Sequence, residues 1–144
     1  MKYKVTLVGA GGKMGMRLTH NLKDSDYDMT YIEINPAGIE KLKEKGVNPS
    51  QTLESSGSAD MVILAVPDVA LEKVSAEVIP AMKSGSMAVI LDPAAALAGK
   101  LYQRDDISYF ITHPCHPSIF NWEPEEEKMK DHFLHSKAIA KLMA

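Results

Sequence analysis

Two clusters in this 144-residue chain bring together groups that can do chemistry. The first is glycine. Gly9, Gly11, Gly12 and Gly15, four in seven positions, lie between an apolar run ending at Val8 and a stretch of helical spacing. Glycine loses more conformational entropy on folding than any other residue, so such a cluster implies a backbone that something must approach closely. The second is THPCHP, residues 112–117, where His113, Cys115 and His116 stand among prolines that forbid a regular helix. Imidazole and thiolate are zinc ligands, but three ligands within four residues need a contorted backbone, and no second ligand cluster appears, so no metal is expected. Cys115 as a nucleophile would need a depressed pKa and a nearby base. His113 or His116 as a general acid–base group is the better chemical reading, since imidazole titrates near neutral pH. The remaining reading is a loop that only shapes a pocket.

A glycine-rich turn between a strand and a helix has a specific use. The helix N-terminus offers free N–H groups and partial positive charge to a pyrophosphate, and side chains in the turn would hold that group away. On this reading Gly9 makes the tight turn, Gly11 and Gly12 permit close approach, with Lys13 and Met14 beside them, and Gly15 lets the helix pack on a sheet. The spacing fits G-x-G-x-x-x-G and equally G-x-x-G-x-x-G, not the standard pattern. Context strengthens it: Glu33 follows eighteen residues after Gly15, near the ~20-residue offset of the acid that receives ribose hydroxyls in dinucleotide-binding units. A carboxylate accepts from both ribose hydroxyls of NAD and repels the 2′-phosphate of NADP, so NAD is favoured. Lys13 or Lys41 would have to serve the phosphate otherwise. The alternative for Glu33 is a solvated carboxylate at a strand end.

The elements that position these groups alternate. Residues 3–8 form an apolar, β-branched strand, and Met14, Leu18 and Leu22 mark one face of a helix over 13–23. A strand follows at 29–34, then a helix with Asn35 as cap and Pro36 at its first position, stopping at Gly46. Residues 47–59 are poorly patterned and fit a very short strand and one helical turn. MVILAV (61–66) and MAVIL (87–91) read as strands buried on both faces. Between them a helix capped by Asp68 presents Leu71, Val74, Val78 and Met82 and ends at Gly85. A short helix over 94–101 and a strand at 107–112 complete the series. This is an α/β fold of Rossmann type, a doubly wound, mainly parallel sheet with helices on both faces.

Ligands of open α/β sheets lie at the carboxyl ends of the strands. Val66, Pro67 and Asp68 after the third long strand would line the cofactor's path. Asp92 after the next has two readings: orienting a substrate or histidine, or capping the following helix. Lys100 and Arg104 are weak candidates for a substrate carboxylate. Composition narrows the partners. A net charge of −3 without a basic run argues against nucleic acid, and no apolar stretch approaches the ~20 residues of a membrane span. A single cysteine excludes an internal disulfide and fits a reducing cytoplasm.

VGAGGKMG, an acid closing the second strand, ADMVILAVPD and GSMAVILDPAAA together resemble the N-terminal, NAD-binding domain of the β-hydroxyacid and 6-phosphogluconate dehydrogenase superfamily. LDPAAALAG and YFITHPCHPSIFN point within it to the phosphogluconate-dehydrogenase-like group that contains sugar-acid oxidoisomerases. The resemblance, over residues 3–121, implies NAD-dependent oxidation of a hydroxylated carboxylate or sugar acid, coupled in such enzymes to rearrangement, and a homodimer in the full-length protein. Pro93, Ala94 and Ala95 stand where hydroxyacid enzymes of the superfamily often carry a Ser/Thr substrate loop. The helical C-terminal domain of those enzymes, with its catalytic lysine, is expected to lie outside these 144 residues. Residues 1–121 are therefore expected as the dinucleotide-binding domain. Residues 122–144 are expected to be a terminal helical segment leading toward a missing domain, which favours a fragment over a short relative. GAGGKMG also resembles the cofactor turn of dihydrodipicolinate reductases, whose catalytic histidine segment is not visible here. The competing functional class is a Rossmann module that senses NAD(H) without turnover.

Overall fold

The run KVTLV forms the first strand, β1 (Lys4–Val8), and its last four residues are buried. From there helices and strands alternate: α1 (Lys13–Leu22), β2 (Asp28–Ile32), α2 (Pro36–Glu44), β3 (Met61–Leu64), α3 (Asp68–Val78), β4 (Met87–Ile90), α4 (Pro93–Leu97) and β5 (Ser108–Ile111). The computed structural model describes residues 2–113. Cys115, His116 and the expected terminal helix lie outside the described residues. By its contacts the chain divides into Met1–Thr112 and His113–Ala144.

The five strands form one sheet in the order β2-β1-β3-β4-β5, and every pairing is parallel. Parallel neighbours require crossovers, and the helices supply them on both faces. On one face Val5, Leu7, Ala10, Tyr31, Ile63 and Val89 pack against α1, through Met16, Leu18 and Leu22, and against Leu42 of α2. On the other, Val8, Ile32, Val62, Leu64, Ala88 and Ile90 pack against Leu71 and Val78 of α3 and Ala95 of α4. Alternate residues of β1 thus serve opposite faces, as the period-two pleat demands. Leu7, Leu64, Leu71 and Ile90 are essentially inaccessible to solvent; each such side chain contributes about 1.5–3 kcal/mol of hydrophobic stabilisation.

The sheet is the expected doubly wound one, and its strands are all parallel rather than mainly so. In the poorly patterned region, Ser50 makes an isolated parallel bridge to Ile32 and Leu53–Ser58 forms a short 3-10 helix. Asn35 caps α2, its Oδ1 accepting from the Ala37 N–H at 2.9 Å. Three expectations need correction. The helix expected to carry Met82 and end at Gly85 stops at Val78, and Ile79–Ala81, with Pro80 in it, forms a separate 3-10 turn. Asp68 does not cap α3. Pro67 holds the cap position without a side-chain bond, and Asp68 is the first helical residue, where its charge complements the helix dipole. The helix expected over 94–101 ends at Leu97, because Gly99 turns left-handed (φ 68°) and the Lys100 N–H folds back onto the Ala95 carbonyl.

In register, Val8, Leu64, Ile90 and Ile111 form one row across the carboxyl end of the sheet. The chain leaves β1 toward β2 on one side and reaches β3 on the other, so the switch point lies between the carboxyl ends of β1 and β3.

Candidate functional site

The turn between β1 and α1 stands at that switch point. Gly9 has a φ of 78°, a conformation that L side chains rarely adopt. The N–H groups of Gly9 and Ala10 both donate to the Ile32 carbonyl, at 2.9 and 3.1 Å, and tie the turn to the end of β2. Gly15, buried on α1, packs so closely on the turn that a Cβ would collide with the Gly9 carbonyl oxygen. Gly12 is the cap residue of α1, with extended backbone and an exposed position. Lys13 and Met14 open the helix, Lys13 exposed and Met14 half-buried. Gly12, at the cap position of α1, has no side chain to cap the helix, and the first turn carries no acidic residue. The first-turn N–H groups have no preceding carbonyl of their own helix to receive them. An uncapped, acid-free helix start at the carboxyl edge of a parallel sheet suits an anionic ligand.

Gly11 meets a different neighbour from the one its motif suggests. A Cβ there would lie 2.5 Å from Gly38 Cα and 2.7 Å from the Gly38 carbonyl carbon, so the closely approaching backbone is that of α2. Its N–H is already engaged, donating to Glu33 Oε2 at 2.8 Å.

Glu33 lies one residue beyond β2 and is 7% exposed. It is therefore not the solvated strand-end carboxylate that one reading allowed. Its Oε1 accepts from the N–H groups of Ile34 and Asn35, both at 2.9 Å, while Oε2 accepts from Gly11. Three amides thus satisfy a buried carboxylate, as its desolvation requires. A carboxylate oxygen has room for about two hydrogen bonds. Among the described residues Oε1 therefore has its two donors and Oε2 one, which leaves Oε2 with acceptor capacity for one more hydroxyl. Lys41 is exposed on α2, about a turn and a half from its start.

Val66 is half-buried and meets the turn directly, since its Cγ1 lies 2.9 Å from where a Gly9 Cβ would stand. Pro67 and Asp68 follow it, both exposed. The end of β3 and the glycine turn are thus brought together. Asp92 caps α4, its Oδ1 accepting from the Ala94 N–H at 2.7 Å, which settles that part of its reading. His113 is exposed and follows the end of β5 by two residues.

Arg104 is not a substrate anchor. Its Nε donates to Asp106 Oδ1 at 2.8 Å and its Nη2 to Asp106 Oδ2. Its Nη1 donates to the carbonyls of Ile79 and Met82 at 2.8 and 2.6 Å. The guanidinium closes the end of the α3 segment, and it precedes β5, at the sheet edge opposite the glycine turn. Lys100 pairs on the surface with Glu72 at 3.1 Å. Asp106 is only two residues from Arg104, but the contacts with Ile79 and Met82 and the Lys100–Glu72 pair join residues distant in the chain and are not legible in sequence. Gly38 was also missed. Its signal was a glycine inside the first turn of a helix, where that residue is otherwise unfavourable.

The parallel sheet, the glycine turn and the ordered acid define a dinucleotide-binding domain. The chain belongs to the family of the NAD binding domain of 6-phosphogluconate dehydrogenase, which it matches over residues 4–96. Among its relatives, the D-apionate oxidoisomerase of Cupriavidus necator is 45% identical over 134 residues, 92% of this chain and 49% of that protein. The D-apionate oxidoisomerase of Rhizobium rhizogenes is 48% identical over 130 residues, 90% of this chain and 47% of that protein. The crystal structure of a semialdehyde dehydrogenase NAD-binding protein from Cupriavidus necator, in complex with calcium and NAD, superposes with a TM-score of 0.77 at 44% identity, covering 92% of this chain and 48% of that one. The chain thus spans about half the length of the relatives it matches. No helix among the described residues is long and apolar enough to cross a membrane.

Proposed function

We propose that this chain is the cofactor-binding half of an NAD-dependent oxidoisomerase that acts on a hydroxylated carboxylate or sugar acid. The observation that carries the cofactor part is the pairing of an uncapped, acid-free α1 start with a buried carboxylate that keeps one open acceptor direction. The substrate part rests on the two D-apionate oxidoisomerases at 45% and 48% identity. In this reading the first turn of α1, with Gly12, Lys13, Met14 and Gly15, receives the pyrophosphate. Gly9 and Gly11 set the turn, and Glu33 accepts from the adenosine ribose. Val66, Pro67 and Asp68 line the path toward the nicotinamide, and Asp92 borders it while holding α4. Bound NAD supplies the hydride acceptor. His113 or His116 takes the proton of the substrate hydroxyl, which an imidazole can do near neutral pH. Residues 1–121 act as the cofactor domain and 122–144 as a helical segment beyond it. A cytoplasmic setting and a homodimer of the full-length protein complete the reading.

Titration with NADH and NADPH, followed by nicotinamide fluorescence, tests the cofactor part. Binding of NADH at least about tenfold tighter than NADPH is expected, since a fixed carboxylate repels a 2′-phosphate. Equal or stronger binding of NADPH would remove Glu33 from its role, and binding of neither would remove the turn from its own.

A further inference from the structure

Gly38 lies in the first turn of α2, inside a helix, where the backbone entropy of glycine is unfavourable. The three nearest atoms that a Cβ at Gly38 would meet all belong to one side chain: Glu33 Cγ and Cδ at 2.9 Å and Oε2 at 3.1 Å. The Glu33 carboxylate therefore lies against the bare face of this residue. It is held there from the other side by the Gly11 N–H and from its own end by the N–H groups of Ile34 and Asn35. Gly11 in turn touches the Gly38 backbone, at a spacing that leaves no room for a side chain. The two glycines and the acid form one interlocked contact between the cofactor turn and α2.

We propose that Gly38 is a positioning residue for cofactor specificity. Its missing Cβ sets the place of the Glu33 carboxylate and so the discrimination between a ribose hydroxyl and a 2′-phosphate. The inference rests on the reading of Glu33 as the ribose acceptor and adds a determinant outside the glycine turn and the strand end. With Glu33 held by three amides and the bare α2 backbone, its negative charge is fixed and only Oε2 remains open. A methyl group at position 38 would push the carboxylate off Gly11 and blur both properties. The backbone of α2 tolerates alanine otherwise, because alanine is the best helix former.

The test compares the native chain with Gly38→Ala and with Gly38→Ala/Glu33→Asp, whose shorter side chain leaves room for the new methyl. Affinities for NADH and NADPH are measured by nicotinamide fluorescence, and the amide resonances of Gly11, Ile34 and Asn35 are followed by NMR without nucleotide. In Gly38→Ala the NADH-over-NADPH preference is expected to fall about tenfold, the worth of one charged hydrogen bond. The Gly11 amide should shift toward a solvent-exposed value. The double variant should recover part of the preference. Should Gly38→Ala fail to fold, the proposal requires the double variant to fold; failure of both would overturn it. Native amide resonances with an unchanged preference in Gly38→Ala would also overturn it, leaving Glu33 as the ribose acceptor intact. Absence of binding by the native chain itself would instead bring down the underlying cofactor reading.

Discussion

A carboxylate shielded from solvent is stable only if it is hydrogen-bonded, and Glu33 meets that demand through backbone amides. Three amide donors occupy it, two on Oε1 and one on Oε2. Replacing it by glutamine keeps the shape and removes the charge. One end of the amide must then turn an N–H₂ donor toward backbone N–H donors, and at least one buried amide loses its acceptor. Glu33→Gln is expected to lose about 1–3 kcal/mol of stability for that reason, measured as a shift of the urea midpoint at constant slope. The same change removes the repulsion of a 2′-phosphate, so its NADH-over-NADPH preference should narrow even where folding is complete. Tyr31, one strand residue from Ile32, is the contrasting case. Its buried hydroxyl has no hydrogen-bond partner among the described residues, and burial, with Asp24 second, raises its pKa, so it stays protonated at neutral pH and carries no charge into the core.

Among elements, α1 starts with neither a side chain at its cap position nor an acidic residue in its first turn. Aspartate at a helix cap stabilises by accepting from the first-turn N–H groups, and it also places a negative charge where a pyrophosphate would lie. Gly12 is exposed and has extended backbone that any residue adopts, φ −71° and ψ 174°. Gly12→Asp is therefore expected to raise stability by a few tenths of a kcal/mol while weakening NADH binding at least about tenfold through like-charge repulsion. Thermal melting and nicotinamide fluorescence read the two effects separately, and loss of both together would mean that the turn had been distorted. Most elements were legible in the sequence for simple reasons. MVIL and MAVI are uninterrupted apolar runs, as strands buried on both faces must be, and Asn35-Pro36 names a helix start by its own chemistry. What escaped was decided by contacts between distant residues. Ser50 joins the sheet through Ile32 with no apolar alternation of its own. The role of Gly11 depends on Gly38, and the availability of Arg104 on Ile79 and Met82, none of which periodicity can reveal. The site was legible where one backbone segment makes it, at Gly9 and Gly15, and much less so where two segments meet.

For the molecule as a whole, the two edges of the sheet are held by different physics. The carboxyl edge carries the glycine turn and Glu33, held by backbone amides, and the amino edge is tied by ion pairs. There Asp60 accepts from the Lys4 N–H at 2.7 Å and from Lys83 Nζ, joining the start of β1 to the approach to β3 and the loop before β4. Asp106 receives the Arg104 fork just before β5. The hydrogen bond from Lys83, then that from the Lys4 backbone, holds the Asp60 carboxyl below its ordinary range, and the hydrogen bonds from Arg104 do the same for Asp106. Both groups are thus more acidic in the folded chain than in the unfolded one, whose ordinary value is 3.8. Their contribution is fully present above that value and disappears as the pH falls through the lower folded values, because the unfolded chain then binds protons first. Urea midpoints should hold steady near neutral pH and fall steeply below about pH 4. Asp60→Asn/Asp106→Asn should begin less stable at pH 7 and lose less between pH 7 and pH 3. Asp106 is exposed and Asp60 half-buried, so added salt should narrow the difference between the native chain and this variant. A variant with an acid limb as steep as the native one would show that other carboxylates set the acid stability and that these pairs only decorate the edge. The expected result would leave the amino edge as the salt-sensitive clamp of the sheet, with the carboxyl edge free of that duty.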